Sequence, residues 1–289
     1  MALDHRGTPP LLMRGVDPVP LLREFLGRPD GLCGGMGGHM HLFAPSHLAA
    51  SSGIVGASGP AAAGFALAAQ YLRQEAVAVA FFGEGALNQG MMMEALNLAV
   101  AWELPAIFVC KDNQIAATTP SPAVSGGSLV ARAKGFGMFA LQVDGGDVES
   151  VWQAAYQLVE RARNGGGPAF LHAHCVHLEG HFLGDPLLRL TRQPIKEMKE
   201  TVGPLLRSLA RREGASIRDR VESLGAITSA GITARKQAAR QGDPIERTRQ
   251  KVGADETRLR QLEAEVREEV DQVVRKALSP ASLVERKGR

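Results

Sequence analysis

Cysteine is scarce: Cys33, Cys110 and Cys175 are the only three in 289 residues, widely separated and without a Cys-x-x-Cys pair. That spacing excludes a disulfide framework and a zinc ribbon, and it suits a reducing compartment, so a cytoplasmic location is expected. Long apolar runs are missing too. Gly, Pro or charge interrupts each one before the span a bilayer requires, and the first residues lack a basic-then-apolar leader. The expectation is a soluble, unexported protein with no membrane partner. Nor does one charge dominate: 33 Lys+Arg face 30 Asp+Glu, and the bases are dispersed or interleaved with acids, as from Glu246 to Arg275. Nothing in that balance points to nucleic acid. The length fits one large α/β domain with a helical extension better than two full catalytic domains, and no internal repeat divides it.

What is present is glycine, and then periodicity. Residues 1–30 are rich in Pro and Arg, and residues 31–60 in Gly, Ala, Ser and His, a texture that predicts long surface-lining loops. Beyond them, helix is expected over 61–72, strand over 76–82, helix over 91–102, strand over 106–110, strand over 139–143, helix over 148–163 and strand over 168–176. This alternation predicts an α/β fold with a largely parallel sheet flanked by helices. From about Ile195 the texture turns charged and helical. Leu259, Leu262, Val266, Val270, Val273 and Ala277 recur at three- and four-residue steps behind Asp255 as N-cap, so one face should pack against the domain or a partner. Residues 230–255 read as a polar linker. The division expected is an α/β domain over 1–190 and a charged helical extension over 191–289.

The stretch that carries chemistry runs from Val77 to Ala116: strand, Gly83-Glu84-Gly85 turn, helix, a strand led by Pro105, then Asp112-Asn113 at its exit. In a parallel sheet both exits lie on one edge, so Glu84 and Asn113 can converge across a whole crossover. Gly83 and Gly85 let the backbone approach a ligand closely, and the helix after them can aim free N–H groups at an anion. A carboxylate, an amide oxygen and a backbone carbonyl are hard ligands suited to Mg²⁺ holding a diphosphate.

At these residues the chain resembles the thiamine-diphosphate motif, Gly-Asp-Gly followed after about two dozen residues by Asn-Asn; here 26 residues separate Gly85 from Asp112. The run "GALNQGMMMEALNLAVAWELPAIFVC" looks more narrowly like the α subunit of the E1 component of 2-oxo acid dehydrogenase complexes, of the pyruvate, branched-chain and acetoin types. The likeness reaches from His5 to about Pro186 and, more faintly, to the tail at 259–279. It implies a thiamine-diphosphate-binding fold, with Glu84, Asn113 and the main-chain oxygen of Ile115 as Mg²⁺ ligands and Gly85 and Ala86 against the diphosphate. "SGIVGA" resembles the loop beneath the aminopyrimidine, with Gly53 contributing backbone and Val55 the apolar wedge that bends the cofactor. "DHRGTPPLLMRGVDP" resembles the loop in which His5 and Arg6 contact the cofactor, Arg6 as a permanent cation on the diphosphate. "EGHFLGDP" resembles the family's His-x-x-x-Asp-Pro loop and makes His181 the candidate for orienting the 2-oxo acid or for proton transfer. The resemblance further implies an E1 β subunit as partner, in a heterotetramer of two α and two β subunits. The activating glutamate would come from the β subunit, and a lipoyl-bearing E2 protein would accept the acyl group.

The sequence also departs from that pattern. Glu84 stands for the usual Asp, and Asp112 for the first Asn, adding negative charge that is unfavourable unless Lys111 or another cation pairs with it. Thr8 and Pro9 fill the place of a second His, Phe182 that of a phosphorylatable Ser, and relatives carry a helical segment before the position of His5, so either a truncated start or a missing part supplied differently is expected. His172 and His174 share a strand face and read as satisfied sheet histidines rather than a metal site, while Met91–Met93 read as helix packing. Three rival readings are a transketolase-like N-terminal half, a nucleotide-binding oxidoreductase, for which the third glycine is missing, and a non-catalytic relative acting as an interaction protein.

Overall fold

The first sixty residues, expected as loops, contain three short strands and two helices: β1 (Ala2–Leu3), α1 (Thr8–Met13), α2 (Pro18–Phe25), β2 (Phe43–Ala44) and β3 (Ala49–Ser51). Ladders of two or three residues are too short to display a period of two, which is why composition hid them. The prolines there start helices: Pro18 opens α2 behind Asp17, whose carboxylate accepts the Val19 N–H at 2.8 Å. The computed structural model describes residues 1–116, 119–176, 242–253 and 255–280, with 216, 218, 219, 222 and 225 besides.

The next elements follow the expected order, with boundaries within three residues: α3 (Ser58–Tyr71), β4 (Ala78–Gly83), α4 (Gly90–Ala101) and β5 (Ala106–Asp112). A ribbon not foreseen, β6 (Ile115–Ala116) against β7 (Thr119–Pro120), leads to α5 (Leu129–Gly135), β8 (Phe139–Asp144), α6 (Val148–Arg163) and β9 (Ala169–His174). The main sheet has the order β2-β3-β1-β4-β5-β9-β8, parallel throughout except for the outer β2–β3 pair. Parallel neighbours demand crossovers, which α4 supplies between β4 and β5 and α6 between β8 and β9. The consequence for function is directional. β1, β4, β5 and β9 all deliver their last residues to one rim.

Both faces of the sheet are covered. On one, α3, α4 and α5 pack over Phe82, Phe108, Cys110 and Phe170; on the other, Leu158 of α6 meets Ile107 and Leu171. Small residues let α3 lie close to α4: a Cβ added at Gly59 would stand 2.6 Å from Met92 Sδ. Met92 is fully buried there, so this methionine does pack between helices. A third cluster, from Leu3 and Leu11 to Leu42 and Ala49, ties the N-terminal segment to the sheet. Glu24 is buried within it, and its carboxylate accepts the N–H groups of Cys33, Gly35 and Gly37 at 2.7, 2.8 and 2.6 Å. The glycine-rich loop is thus wound around one acid.

Near the end of the chain, the expected linker contains a helix, α7 (Pro244–Val252), capped by Asp243 and closed by Gly253 in the left-handed region at φ 55°. Arg247 and Lys251 anchor it to Asp144 and Asp147 at 2.8 Å each. Following it, α8 (Glu256–Leu278) starts at its Asp255 cap as expected. Of the stripe expected to pack against the domain or a partner, Leu262, Val266 and Val270 are exposed in this chain; the first half of α8 pairs with α7 through Glu263 and Arg249, and the far end docks on the N-terminal segment. There Ala277 is buried, and Arg23 and Arg28 donate to the carbonyls of Lys276 and Ala277 at 3.0 and 2.8 Å. No helix of the described residues is long and apolar enough to cross a membrane.

Candidate functional site

At the rim, the exits of β1, β4 and β5 enclose a cavity of about 380 Å³. β1 brings Asp4, His5 and Arg6; β4 brings Gly83, Glu84 and Gly85; β5 brings Lys111 and then Asn113 and Ile115. Ser52, Ile54, Val55 and Gly56 close it from the segment between β3 and α3, and Ala86 and Gln89 from the floor. Of the residues read from the sequence, His5, Arg6, Val55, Glu84, Gly85, Ala86, Asn113 and Ile115 all line this one space. Gly53 lies between two lining residues but does not itself line the cavity; a Cβ there would stand 3.1 Å from His41 Nε2 and 3.2 Å from Met40 Sδ. His181 lies outside the described residues.

Glu84 is the buried acid of the cavity, 2% exposed. Its Oε1 accepts the Ser121 hydroxyl at 2.5 Å. Burial pushes its carboxyl pKa up, and the nearby Asp112 adds to this; Ser121 and the N–H groups of Glu84 and Asn113 oppose the rise without cancelling it. A carboxylate in that position is best stabilised by a cation. The turn after β4 is a 3-10 segment, Glu84–Asn88, and α4 starts beyond it at Gly90, one residue ahead of its expected start. Gly85 is required by a close approach, since a Cβ there would sit 2.8 Å from the Ala116 Cβ.

The opposite wall is cationic. Lys111 Nζ bridges both oxygens of Asp4 at 3.0 and 2.9 Å, and Asp4 Oδ1 also accepts the Arg6 N–H at 3.1 Å. This fork fixes the β1 exit against the β5 exit. His5 is exposed at the mouth; partial desolvation lowers its pKa, Asp4 works against that, and Arg6 and Lys111 reinforce it. Arg6 is half-buried, its pKa lowered by burial against the attraction of Asp4 and Glu84. Ile54 and Val55 are 61% and 53% exposed, an apolar lip over the mouth.

Sequence reasoning missed Asp4 and Ser121, and took Lys111 only as a possible partner for Asp112. Asp4 had a signal, since it immediately adjoins His5, already singled out; Ser121 arrives through the β6–β7 ribbon and had none. The expectation for Asp112 needs correction in one respect. Lys111 is engaged by Asp4, and Asp112 is paired instead with His172, whose Nε2 lies 2.8 Å from Oδ2. His174 Nδ1 stands 3.7 Å from the same oxygen, and its Nε2 is 2.8 Å from the Gln142 amide. The two histidines do share a sheet face and make hydrogen bonds there, although His172 Nδ1 is buried without a partner among the described residues. Beside His172 on the neighbouring strand Cys110 is buried, and burial raises the Cys175 thiol pKa to about 11.

The residues present fit Mg²⁺ and a phosphorylated organic cofactor. Oxygen donors from Glu84 and Asn113 face the same space, and among the described residues no thiol lines it and the one lining imidazole is the exposed His5. Cationic Arg6 and Lys111 occupy one wall and the aliphatic Ile54 and Val55 another.

Comparison with known proteins matches residues 1–211 to the family described as "Dehydrogenase E1 component". The α subunit of acetoin:2,6-dichlorophenolindophenol oxidoreductase from Cupriavidus necator is 42% identical over 187 residues, covering 64% of this chain and 56% of that protein. Its counterpart from Bacillus subtilis is 41% identical over 183 residues, 63% and 55% of the two chains. The pyruvate dehydrogenase E1 component α subunit of Zymomonas mobilis is 39% identical over 197 residues, 68% and 56%. The chain spans about half the length of the curated relatives it matches.

Proposed function

This chain belongs to the dehydrogenase E1 component family, and from that premise we propose that it is the α subunit of an enzyme that oxidatively decarboxylates a 2-oxo acid, or cleaves acetoin, with thiamine diphosphate and Mg²⁺. Relatives named for acetoin, at 42% and 41% identity, and for pyruvate, at 39%, both support the reading. The observation that carries it is the convergence of Glu84, Asn113, Ile115 and Arg6 on one cavity from three parallel strand exits.

Bound thiamine diphosphate supplies a nucleophilic ring carbon able to add to an oxo group, chemistry the protein alone does not possess. The chain's part is to hold and orient. Glu84, Asn113 and the Ile115 carbonyl are the candidate Mg²⁺ ligands, and the ion offsets the cost of keeping the buried Glu84 ionised. Arg6 is the permanent cation for the diphosphate, kept in place by the Asp4–Lys111 fork. Val55 and Ile54 give the organic rings an apolar surface and exclude water from them. His181 is proposed to meet the substrate. A β subunit supplies the remainder of the active site, and a lipoyl-bearing E2 protein takes the acyl group.

Calorimetric titration of the chain, with and without its β partner, tests this. Thiamine diphosphate should bind only with Mg²⁺ present, and Glu84→Ala or Asn113→Ala should weaken uptake by about a hundredfold, the scale of losing one charge-assisted contact. Uptake independent of Mg²⁺ and of Glu84 would overturn the proposal.

A further inference from the structure

Two of the metal ligands proposed above, Asn113 and Ile115, sit on a turn that is held from outside as well as from within. Gln114 occupies the left-handed region at φ 62°, a conformation a residue with a side chain adopts only when its surroundings impose it. Asp112 imposes it: Oδ1 accepts the Gln114 N–H at 2.8 Å, while Oδ2 accepts from His172 Nε2 at 2.8 Å. The Asp112 carbonyl in turn accepts the Cys175 N–H at 2.8 Å, so β9 grips the turn twice. From Gln114 the chain of bonds continues, because its carbonyl accepts the Ser121 N–H at 2.9 Å and the Ser121 hydroxyl donates to Glu84. Four hydrogen bonds therefore lead without a gap from His172 to the Glu84 carboxylate.

His172 is 6% exposed and does not line the cavity, so it cannot touch a cofactor there. Three donor groups, Asp112, His172 and His174, lie within 4.8 Å of one another and could suggest a second metal site. The 2.8 Å approach of His172 to Asp112 is the closed geometry of a hydrogen bond, with no gap for an ion between them. Charge balance points the same way. Asp112 is a buried carboxylate close to Glu84, and His172 is the group that donates to the oxygen left over by Gln114.

We propose that His172 is a positioning residue for the metal-binding turn: by donating to Asp112 it makes an acid tolerable beside Glu84 and, through Asp112, Gln114 and Ser121, sets Asn113, Ile115 and Glu84 in place. This rests on the Mg²⁺-thiamine diphosphate reading of the cavity. The two residues act as a unit. Removing the imidazole alone leaves an uncompensated buried charge, whereas replacing both relieves it.

The test uses the full chain with its β subunit in the wild type, His172→Ala, Asp112→Asn and the double mutant. Thiamine diphosphate affinity is measured against Mg²⁺ concentration, and amide exchange of residues 112–116 is followed without cofactor. In His172→Ala, affinity should fall about tenfold or more and exchange should quicken by a similar factor, while the double mutant returns both to within about threefold of wild type. His172→Asn, too short to reach Asp112, replaces the alanine variant if that one does not fold, with the same readings. Unchanged exchange in the single mutant, or a double mutant as impaired as the single, overturns the proposal. If the wild type takes up no cofactor, the reading of the cavity fails, and the exchange result still decides whether His172 holds the turn.

Discussion

The energetic tension of the pocket is concentrated in Glu84, a carboxylate almost wholly removed from water with a hydroxyl and backbone N–H groups as its visible donors. Because its folded pKa is raised, the folded chain holds that proton more tightly than the unfolded chain does. Its contribution to stability is therefore complete below the ordinary carboxyl value and is lost as pH rises through the raised one. Ser121→Ala removes the 2.5 Å donor, and should cost about 1–3 kcal/mol at neutral pH and steepen that decline, read from denaturant melts across the pH range. Adding Mg²⁺ should flatten the curve. Lys111→Met should free Asp4 and with it the His5–Arg6 exit, weakening thiamine diphosphate binding by about tenfold in the same calorimetry, the effect of about 1.4 kcal/mol. A loss smaller than twofold would mean that Arg6 does not depend on the fork. The sequence revealed the residues whose spacing is their signal, Glu84 and Asn113. Partners such as Ser121, brought in by a turn, were not legible, because nothing in a linear order marks which hydroxyl will meet which acid.

Among the elements, those with a full period of buried residues were readable and those made of two or three residues were not. α6 matches its expected range residue for residue because its apolar stripe is long and Asp147 caps it. β1 was invisible, yet it is the strand that puts Arg6 at the rim. α7 was passed over for a different reason: its cap, first-turn proline and closing glycine were all present, but it buries no apolar face that would have announced it. The glycine-rich stretch is a loop as expected, but its organisation by the buried Glu24 had no signal in the sequence. Burial opposes ionisation of Glu24, but the N–H groups of Gly35, Gly37 and Cys33 outweigh it, so its pKa is lowered. The stability it confers is present above the unfolded value of 4.5 and is lost as pH falls through the depressed folded one. Glu24→Gln turns an amide N–H₂ towards backbone donors; it should cost about 2–3 kcal/mol at neutral pH and remove the acid-side slope in chemical melts.

At the scale of the whole molecule, one rim collects exits from parallel strands, and a ligand there bridges segments far apart in sequence. Such a ligand binds the folded state only. At a hundred times its Kd it should add about 2.7 kcal/mol, a rise in Tm of roughly 5–10 °C for a chain of this size, and Glu84→Ala should abolish the rise in a thermal melt. The far end of the molecule is different in kind. Val266 and Val270 of α8 are 50% and 54% exposed, so replacing both with Lys should change stability by less than about 0.5 kcal/mol in the isolated chain.

The unequal settings of the three thiols carry a practical corollary. Cys110 is buried in the sheet beside His172, and Cys175, half-buried with its pKa raised to about 11, is scarcely ionised near neutrality, which leaves Cys33 partly open on the loop wound around Glu24. A maleimide fluorophore added at pH 7 should attach there first, as peptide mass mapping would show, giving an optical reporter on that loop without any engineering of the chain.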